Sequence, residues 1–488
     1  MRSQTHSEQG AVAIPTAIEA SCPSVKAQAS AVGPTLSEAT PPTPAVPDLT
    51  APPRLSVPDR QQILSAMTID ELLEADHPAR AVWSYVQDLD LSPWYDRIRA
   101  RGSVAGRSAI DPRLLVALWL YATLAGFTSA REIAVLCLHY DPFRWLVGGV
   151  SVNYHTLSDF RTDNPEFLDP LLKQSVEVLR RQGLIDLDRV AQDGMRVRAS
   201  AGAASFRRRE TLERLLQEAQ AEVQRLQEKL TATHAEPATI QEVVAKPTPV
   251  GALEPSRQQQ AAAMRHAEER VEHVEQALAR MPELEAQIKP GEKKEPRVST
   301  TDTQATVMKM ADGGFRPAYN VEFGTACQGQ VVVGVDVVTV GSDQGQLPPM
   351  VDQIKNRFEQ CPKEVLVDGG FSNLKDIEKV QGEEKCKVYA PVVKPKKEGV
   401  DRYAPKATDS EEVAEWRKRM GTLEAKEIYK ERAATAECVN AQARNRGLQQ
   451  FMVRGLEKVK AIATWFAIAH NMARSFALQP QPIVNYCS

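Results

Sequence analysis

The sequence predicts an α/β protein, with a mixed sheet that follows an all-α region and is interrupted by a helical hairpin. Three observations predict this class. Short runs typical of strands occur at 188–199 and again between 299 and 393. Helical patterning fills residues 58–182. Heptad spacing fills residues 206–289, the interval between the two groups of strands.

Composition allows a protein of two or three domains, since the chain has 488 residues. The net charge of −3 counts against nucleic-acid binding unless positive charge is concentrated locally. Seven scattered cysteines without a C-x-x-C pair argue against a disulfide framework or a cysteine-based zinc site, and a reducing cytoplasm fits. The most apolar window, Leu114 to Ala125, is too short to span a bilayer.

The first 182 residues divide into a tail and a helical region. Residues 1–57 are rich in Pro, Ala, Ser and Thr, which predicts disorder. The segment 112–121 is apolar nearly all round and predicts a central helix. Shorter helices are predicted from 128–133 and 153–161. Two short helices suit helix-turn-helix docking on DNA, but an ordinary helical bundle is the commoner arrangement.

The strand at 188–199 carries two aspartates. Asp193 lies within the run, and Arg196 and Arg198 follow it on one alternating face. Asp188 lies at the start of the strand, where a turn or capping role is sufficient. Asp193 is therefore the better candidate for a functional carboxylate.

The interval at 206–289 contains two heptad-spaced segments, which predict an antiparallel coiled-coil hairpin. A folded-back spacer is the simplest interpretation. The arginines at its base, residues 207–209, could instead contact a phosphate backbone. The apolar heptad positions are Leu212, Leu216, Ala219, Val223, Leu226 and Leu230, then Met264, Ala267, Val271, Val274, Leu278 and Met281.

A second aspartate follows a strand in the later part of the sheet. An antiparallel hairpin is predicted from 318–323 and 331–338, and Asp343 beyond it is interpreted as a helix cap. The run at 365–367 is typical of a buried strand, and it ends at Asp368 and two glycines. A carboxylate there is costly unless a metal or a cation needs it. The alternative is a turn aspartate that caps the next helix.

A long polar helical stretch is predicted from Ser410 to about Arg446. Within it, Glu437, Asn440 and Arg444 lie on one helical face. Residues 430–475 contain eight Lys or Arg and three Glu, a local excess of five positive charges. This excess favours phosphate contact over a merely solvated face.

Asp193, Asp368 and Glu437 come from three separate elements and have no Cys or His companions. Hard oxygen ligands of this kind favour Mg²⁺ or Mn²⁺ over zinc. Two such ions about 3.5–4 Å apart can hold both the attacking and the leaving oxygen of a phosphodiester displacement.

These motifs resemble those of a DDE transposase of a bacterial insertion sequence, over about residues 60–480. Val190-Ala191-Gln192-Asp193-Gly194 is similar to the segment around the family's first acid, and Val365-Leu366-Val367-Asp368-Gly369-Gly370 to that around the second. Glu437, followed by Arg444, is similar to the third. The family's tail pattern is also present, as Arg454-Gly455-Leu456-Glu457-Lys458-Val459 and Ala469-His470-Asn471-Met472-Ala473-Arg474.

The resemblance implies a ribonuclease H-like core that cleaves phosphodiester bonds at transposon ends and transfers the 3′-OH strand into target DNA. It implies that Asp193, Asp368 and Glu437 hold two Mg²⁺ or Mn²⁺ ions. Double-stranded DNA, as terminal inverted repeats and target, would be the partner of a homo-oligomer in the bacterial cytoplasm, at the nucleoid and not at a membrane. The residues expected to contact DNA are Arg196, Arg198, Arg444, Arg454 and Lys458.

Two alternatives come from other classes of protein. The first is a catalytically inactive or repurposed transposase-derived DNA-binding protein, against which the presence of all three acids argues. The second is a coiled-coil scaffold, which does not explain aspartates at strand ends.

One spacing departs from the resemblance. Related enzymes often carry Tyr, two residues, Arg, three residues and then the catalytic Glu. Here Tyr429 and Arg432 keep the first interval, but four residues separate Arg432 from Glu437. On an α-helix the extra residue rotates the acid by about 100°. Either Arg432 has a different role, or the helix is locally adjusted.

The predicted organisation follows from these patterns. It comprises a disordered tail (1–57), a helical DNA-binding domain (58–182), the first part of the catalytic core (183–205), the coiled-coil hairpin (206–289), the remainder of the core (290–478) and a C-terminal tail (479–488).

Overall fold

Helices make up the first part of the chain that can be described. The computed structural model describes residues 68–98, 108–235, 257–286, 295–395 and 399–479. The predicted tail at 1–57 and most of the predicted C-terminal tail lie outside these ranges. The first helices are α1 (Pro78–Gln87), α2 (Ser92–Asp96), α3 (Pro112–Leu124), α4 (Ala130–His139), α5 (Asp141–Val147), α6 (Tyr154–Thr162) and α7 (Pro165–Arg181).

Helix α3 is the centre of this helical region. Its proline occupies the first helical position, and the side chain of Asp111 caps the helix by accepting a hydrogen bond from the Arg113 amide. Ten of its thirteen residues are buried, including Trp119. A helix that is apolar all round is expected to be surrounded by protein, and α3 is.

Helices α4 and α6 are not joined by the short turn of a helix-turn-helix motif. Ser129 caps α4, but helix α5 lies between α4 and α6, so no short turn joins them. Arg161 of α6 is buried, donates a hydrogen bond to the Thr128 carbonyl and lies 4.0 Å from the centre of the Trp119 ring. Arg161 therefore has partners inside the protein, although its buried Nε makes no hydrogen bond.

The strands in the described residues form a six-stranded mixed sheet, which confirms the predicted α/β class, and a separate two-stranded sheet. They are β1 (Arg189–Arg198), β2 (Phe206–Arg207), β3 (Val298–Ser299), β4 (Thr306–Lys309), β5 (Phe315–Ala326), β6 (Val331–Val338), β7 (Glu364–Leu366) and β8 (Lys387–Tyr389). In the described residues the order is β6-β5-β1-β7-β8, with β4 also on β5. The pairs that β5 makes are antiparallel, whereas β1–β7 and β7–β8 are parallel.

The remaining helices surround the sheet or project from it. They are α8 (Arg209–Ala235), α9 (Arg257–Ala286), α10 (Leu347–Phe358), α11 (Leu374–Gly382), α12 (Glu411–Gly421), α13 (Leu423–Arg432), α14 (Cys438–Asn445) and α15 (Leu456–Leu478). The stretch predicted as one long helix is thus divided at Thr422, which caps α13. A π-helical segment, Ala433–Glu437, joins α13 to α14.

Helices α8 and α9 form an antiparallel pair. Arg209 at the start of α8 makes an ion pair with Glu285 near the end of α9. Leu212, Val274 and Met281 share a small apolar core. At the base, β2 pairs with β3, so Phe206 lies opposite Ser299. The two-helix insertion agrees with the heptad pattern, while its coiled-coil geometry and the domain boundaries stay predictions.

Helix α15 connects the helical region to the sheet. Trp465 and Phe466 of α15 share one hydrophobic core with Trp119 of α3 and Phe323 of β5. The Trp465 indole N–H donates to the Arg161 carbonyl. All described residues belong to one compact unit, and none of the helices they form is long and apolar enough to cross a membrane.

Candidate active site

Parallel pairing of β1 with β7 brings Asp193 and Asp368 to the same level of the sheet. Ala191 and Leu366 are the last paired residues, and each acid lies two residues beyond. Burial raises the pKa of Asp193 to about 6; Arg432 lowers this pKa, and the nearby carboxylate of Asp368 raises it. Asp193 and Asp368 are therefore electrostatic neighbours.

Asp368 is a turn aspartate, which is one part of the alternative interpretation. Its Oδ1 accepts a hydrogen bond from the Gly370 amide at 2.7 Å, which caps a short turn at Gly369–Phe371. It does not cap the next helix, because Asn373 does so by accepting from the Lys375 amide. The hydrogen bond within the turn fixes the orientation of the Asp368 carboxylate, which stays near Asp193.

Two side chains from the helical segment after the sheet reach Asp193. The Asn440 amide donates to Asp193 Oδ2 at 3.0 Å. Arg432 Nη1 lies 3.7 Å from the same oxygen, and Arg432 Nη2 donates to Glu437 Oε1 at 2.8 Å. Arg432 thus lies between the first and the third predicted acid. Glu437 is the most accessible of the three, with 58% of its side chain exposed.

The π-helical segment explains the unusual spacing between Arg432 and Glu437. A π turn accommodates one residue more than an α turn, so residues five apart face each other. Ala433–Glu437 adopts this geometry, and the guanidinium and carboxylate meet despite the extra residue. Of the two explanations left open by the sequence, local adjustment of the helix is the one observed.

Asp343 is part of this acidic site, and its interpretation as a helix cap is wrong. Helix α10 begins at Leu347, and its N-cap residue Gln346 makes no side-chain capping bond. The Asp343 carboxylate instead accepts from the Asn320 amide at 2.7 Å. It is also one of the charges that raise the pKa of Asp193. The chain after β6 folds back over the sheet, which sequence spacing alone did not reveal.

Glu322 is a further acid that sequence analysis missed. It is 1% exposed, and burial raises its pKa to about 8, with a contribution from Asp343. Its Oε1 accepts from Asn320 at 2.7 Å, and its Oε2 from Gln192 at 3.3 Å. A glutamate inside an otherwise buried strand was the available signal, because such a position is costly for a carboxylate.

A groove lined by arginines lies beside this acidic site. Its volume is about 390 Å³, and its walls include Gly194, the residue after Asp193. Arg196 and Arg198 are held partly by hydrogen bonds to the Gly341 carbonyl and the Gln450 side chain. Three of its four arginines were predicted DNA contacts, and one was not; the four are Arg196, Arg198, Arg316 and Arg444.

The other two predicted DNA contacts lie elsewhere. Arg454 lines a separate cleft with Arg207 and with His266, Arg270 and His273 of α9. Lys458 is exposed near the start of α15. Three of the five predicted DNA contacts therefore line one groove, and the other two lie outside it.

The oxygen atoms around Asp193 belong to carboxylates and amides, and such hard oxygens suit a hard cation. Within the described ranges, no three Asp, Glu, His or Cys side chains lie close enough together to hold a metal ion as they stand.

Two protein families match the sequence. A family described as a transposase domain matches residues 67–163, and one described as a transposase DDE domain matches residues 380–476. The second range contains Glu437, whereas Asp193 and Asp368 precede it. No curated protein and no solved structure matches the chain. Both matches agree with the family resemblance that the sequence motifs carry, and that prediction is confirmed.

Proposed function

We propose, from the premise that this chain is a DDE transposase of an insertion sequence, that it cleaves phosphodiester bonds at transposon ends and transfers the freed 3′-OH strand into target DNA. The observation that carries the proposal is the neighbourhood of Asp193 and Asp368, with a groove of arginines beside them.

In this proposal Asp193, Asp368 and Glu437 hold Mg²⁺ or Mn²⁺. When bound, two such ions supply a nucleophilic oxygen at neutral pH and stabilise the leaving oxygen. Asn440 fixes the Asp193 carboxylate through its amide. Arg432, paired with Glu437, positions the third acid.

The arginine groove is proposed to hold the DNA backbone next to the acids. Arginine forms charge-assisted, often bidentate, hydrogen bonds with phosphate. Arg198 is exposed on β1, and Arg444 faces the same groove from α14. Phosphate contacts of this kind fix the position of a strand without reading its sequence.

The catalytic core is proposed to be ribonuclease H-like, which the order of the mixed sheet and the position of the acids at its strands support. The helical region at 58–182 is proposed to recognise element-end DNA, and the protein to act as a homo-oligomer in the bacterial cytoplasm, at the nucleoid.

The test uses the purified full-length chain and a duplex that carries the element end. With Mg²⁺ we expect strand cleavage at the end of the element, and joining of the 3′-OH to a second duplex. EDTA should abolish both reactions. Binding of the duplex without Mg²⁺-dependent cleavage, under conditions in which the protein is folded, would contradict the proposal and favour the repurposed DNA-binding protein.

A further inference from the structure

Three oxygen atoms converge above Gly194, on the β-sheet next to Asp193. A methyl group on Gly194 would lie 2.7 Å from Asp343 Oδ1, 2.8 Å from Glu322 Oε1 and 3.0 Å from Asn320 Oδ1. Any side chain at position 194 would therefore displace these groups. The glycine leaves the space in which two carboxylates and an amide oxygen approach one another.

The Asn320 side chain supplies an observation independent of the acids. Asn320 is 1% exposed, and its Oδ1 has no hydrogen-bond partner. Its Nδ2 donates to both Glu322 and Asp343. A buried amide oxygen without a donor costs free energy, and a cation at this position would satisfy it.

The oxygen cluster continues to Asp368. A methyl group on Gly370 would lie 2.9 Å from Asp368 Oδ1 and 3.0 Å from Asp343 Oδ2, so these two oxygens are at most about 6 Å apart. In the described part of the chain, neither Asp343, Glu322 nor Asp368 makes an ion pair with a basic side chain. A cation bound here would offset the repulsion between these carboxylates.

We propose that the second of the two divalent cations in the proposed function lies beside Asp368, held by Asp343 and Asn320 Oδ1 with Glu322 behind them. The ligand class is Mg²⁺ or Mn²⁺, because every donor is a hard oxygen. Asp343 is then a fourth metal-binding carboxylate, in addition to the three acids of the proposed function on which this inference rests. Glu322 is a positioning residue that orients the Asn320 amide.

The test is a Mn²⁺ titration of the full-length chain, followed by electron paramagnetic resonance of the free ion. The wild-type chain should bind two Mn²⁺ ions. Asp343→Asn should bind one. Asn320→Leu should lower the affinity for the second ion at least about tenfold, the size expected for loss of a supporting group. Asp188→Asn, at the start of the strand, is the matched control, and it should bind two.

Each variant is first melted in EDTA to establish that it is folded. Two ions retained by a folded Asp343→Asn would overturn the inference. One ion or none in the wild-type chain would overturn it as well, and this result needs no variant. Asp193→Asn separates the two proposals. If Asp343→Asn loses an ion while Asp193→Asn keeps both and still cleaves DNA, the proposed catalytic function fails and the second cation position stands.

Discussion

The start and the middle of strand β1 carry the same kinds of charged residue in opposite arrangements. At the start, Arg189 makes ion pairs of 2.7 Å with Glu364 and Glu431, and Asp188 pairs with Lys363 at 2.7 Å. Around Asp193 the acids crowd together, and the cation that reaches them from the described residues is Arg432.

This difference distinguishes charges that stabilise the fold from charges that are available to a ligand. The acids at the start of β1 each have a basic partner, so their charge is balanced within the protein. Around Asp193, burial and neighbouring acids raise the pKa of Asp193 and of Glu322. Such perturbed acids are typical of functional sites. Unbalanced acidic charge therefore marks the part of β1 at which chemistry is expected.

The largest expected effect is at the unbalanced acids around Asp193. Asp193→Asn and Asp368→Asn should each reduce Mg²⁺-dependent cleavage of element-end DNA by more than about 100-fold, because loss of a metal ligand exceeds the 10–100-fold cost of losing a supporting group. Their melting temperatures in EDTA should not fall, since each change removes a repelling charge. Cleavage is measured on end-labelled duplex, and binding by gel shift.

Asp188→Asn is the control for this prediction, because it breaks an exposed ion pair with Lys363 and should cleave normally. Asp343 does not serve as a second control, since it lies among the acids. Normal cleavage by Asp368→Asn would show that crowding of acids does not mark the active site.

At the start of β1, where the charges are paired, the effect should be on stability. Arg189→Met leaves Glu364 and Glu431 without their partner, and hydrogen bonds to charged groups contribute about 1.5–3 kcal/mol each where they are partly buried. We expect a loss of about 1–3 kcal/mol in the free energy of unfolding, measured by urea denaturation, with cleavage retained in the folded enzyme.

The matched control for Arg189 is Arg225→Met. Arg225 pairs with Glu222 on the exposed surface of α8, where such pairs contribute about 0.3–0.5 kcal/mol. Equal destabilisation by both variants would remove the distinction between a structural cluster and an ordinary surface pair.

The sequence predicted the parts of the site that depend on local pattern. Period-two and apolar runs predicted β1, the β5–β6 hairpin and the strand that ends at Asp368, because strand patterning is local. It did not predict that Asp343 and Glu322 join the acids, since their approach depends on the strand order and on how the chain folds back after β6. The sequence indicated the π-helical segment only through the extra residue between Arg432 and Glu437, which did not fit the spacing in related enzymes.

A smaller effect is expected in the arginine groove. Arg316→Ala and Arg444→Ala should weaken the binding of any duplex, and each should reduce the slope of log affinity against log salt by about 0.9 if it contacts one phosphate. Lys418→Ala, on the exposed side of α12, should leave the slope unchanged. An unchanged slope for both arginines would place the DNA backbone outside this groove.

The smallest effect is expected at the π-helical segment, which places Arg432 opposite Glu437. Ala433 is exposed, and its deletion leaves three residues between the arginine and the glutamate, as in related enzymes. A regular α-helix then brings the two side chains together at four residues' separation, with the Asn440–Asp193 contact kept. We expect cleavage within about tenfold of wild type and stability within about 1 kcal/mol, since exposed alanines favour an α-helix. Deletion of Ala441 is the control. It lies beyond the π-helical segment, so its loss rotates Arg444 by about 100° relative to Asn440 and should impair DNA binding. If deleting Ala433 impairs cleavage as much as Asp193→Asn does, the extra residue is required for function and is not merely accommodated.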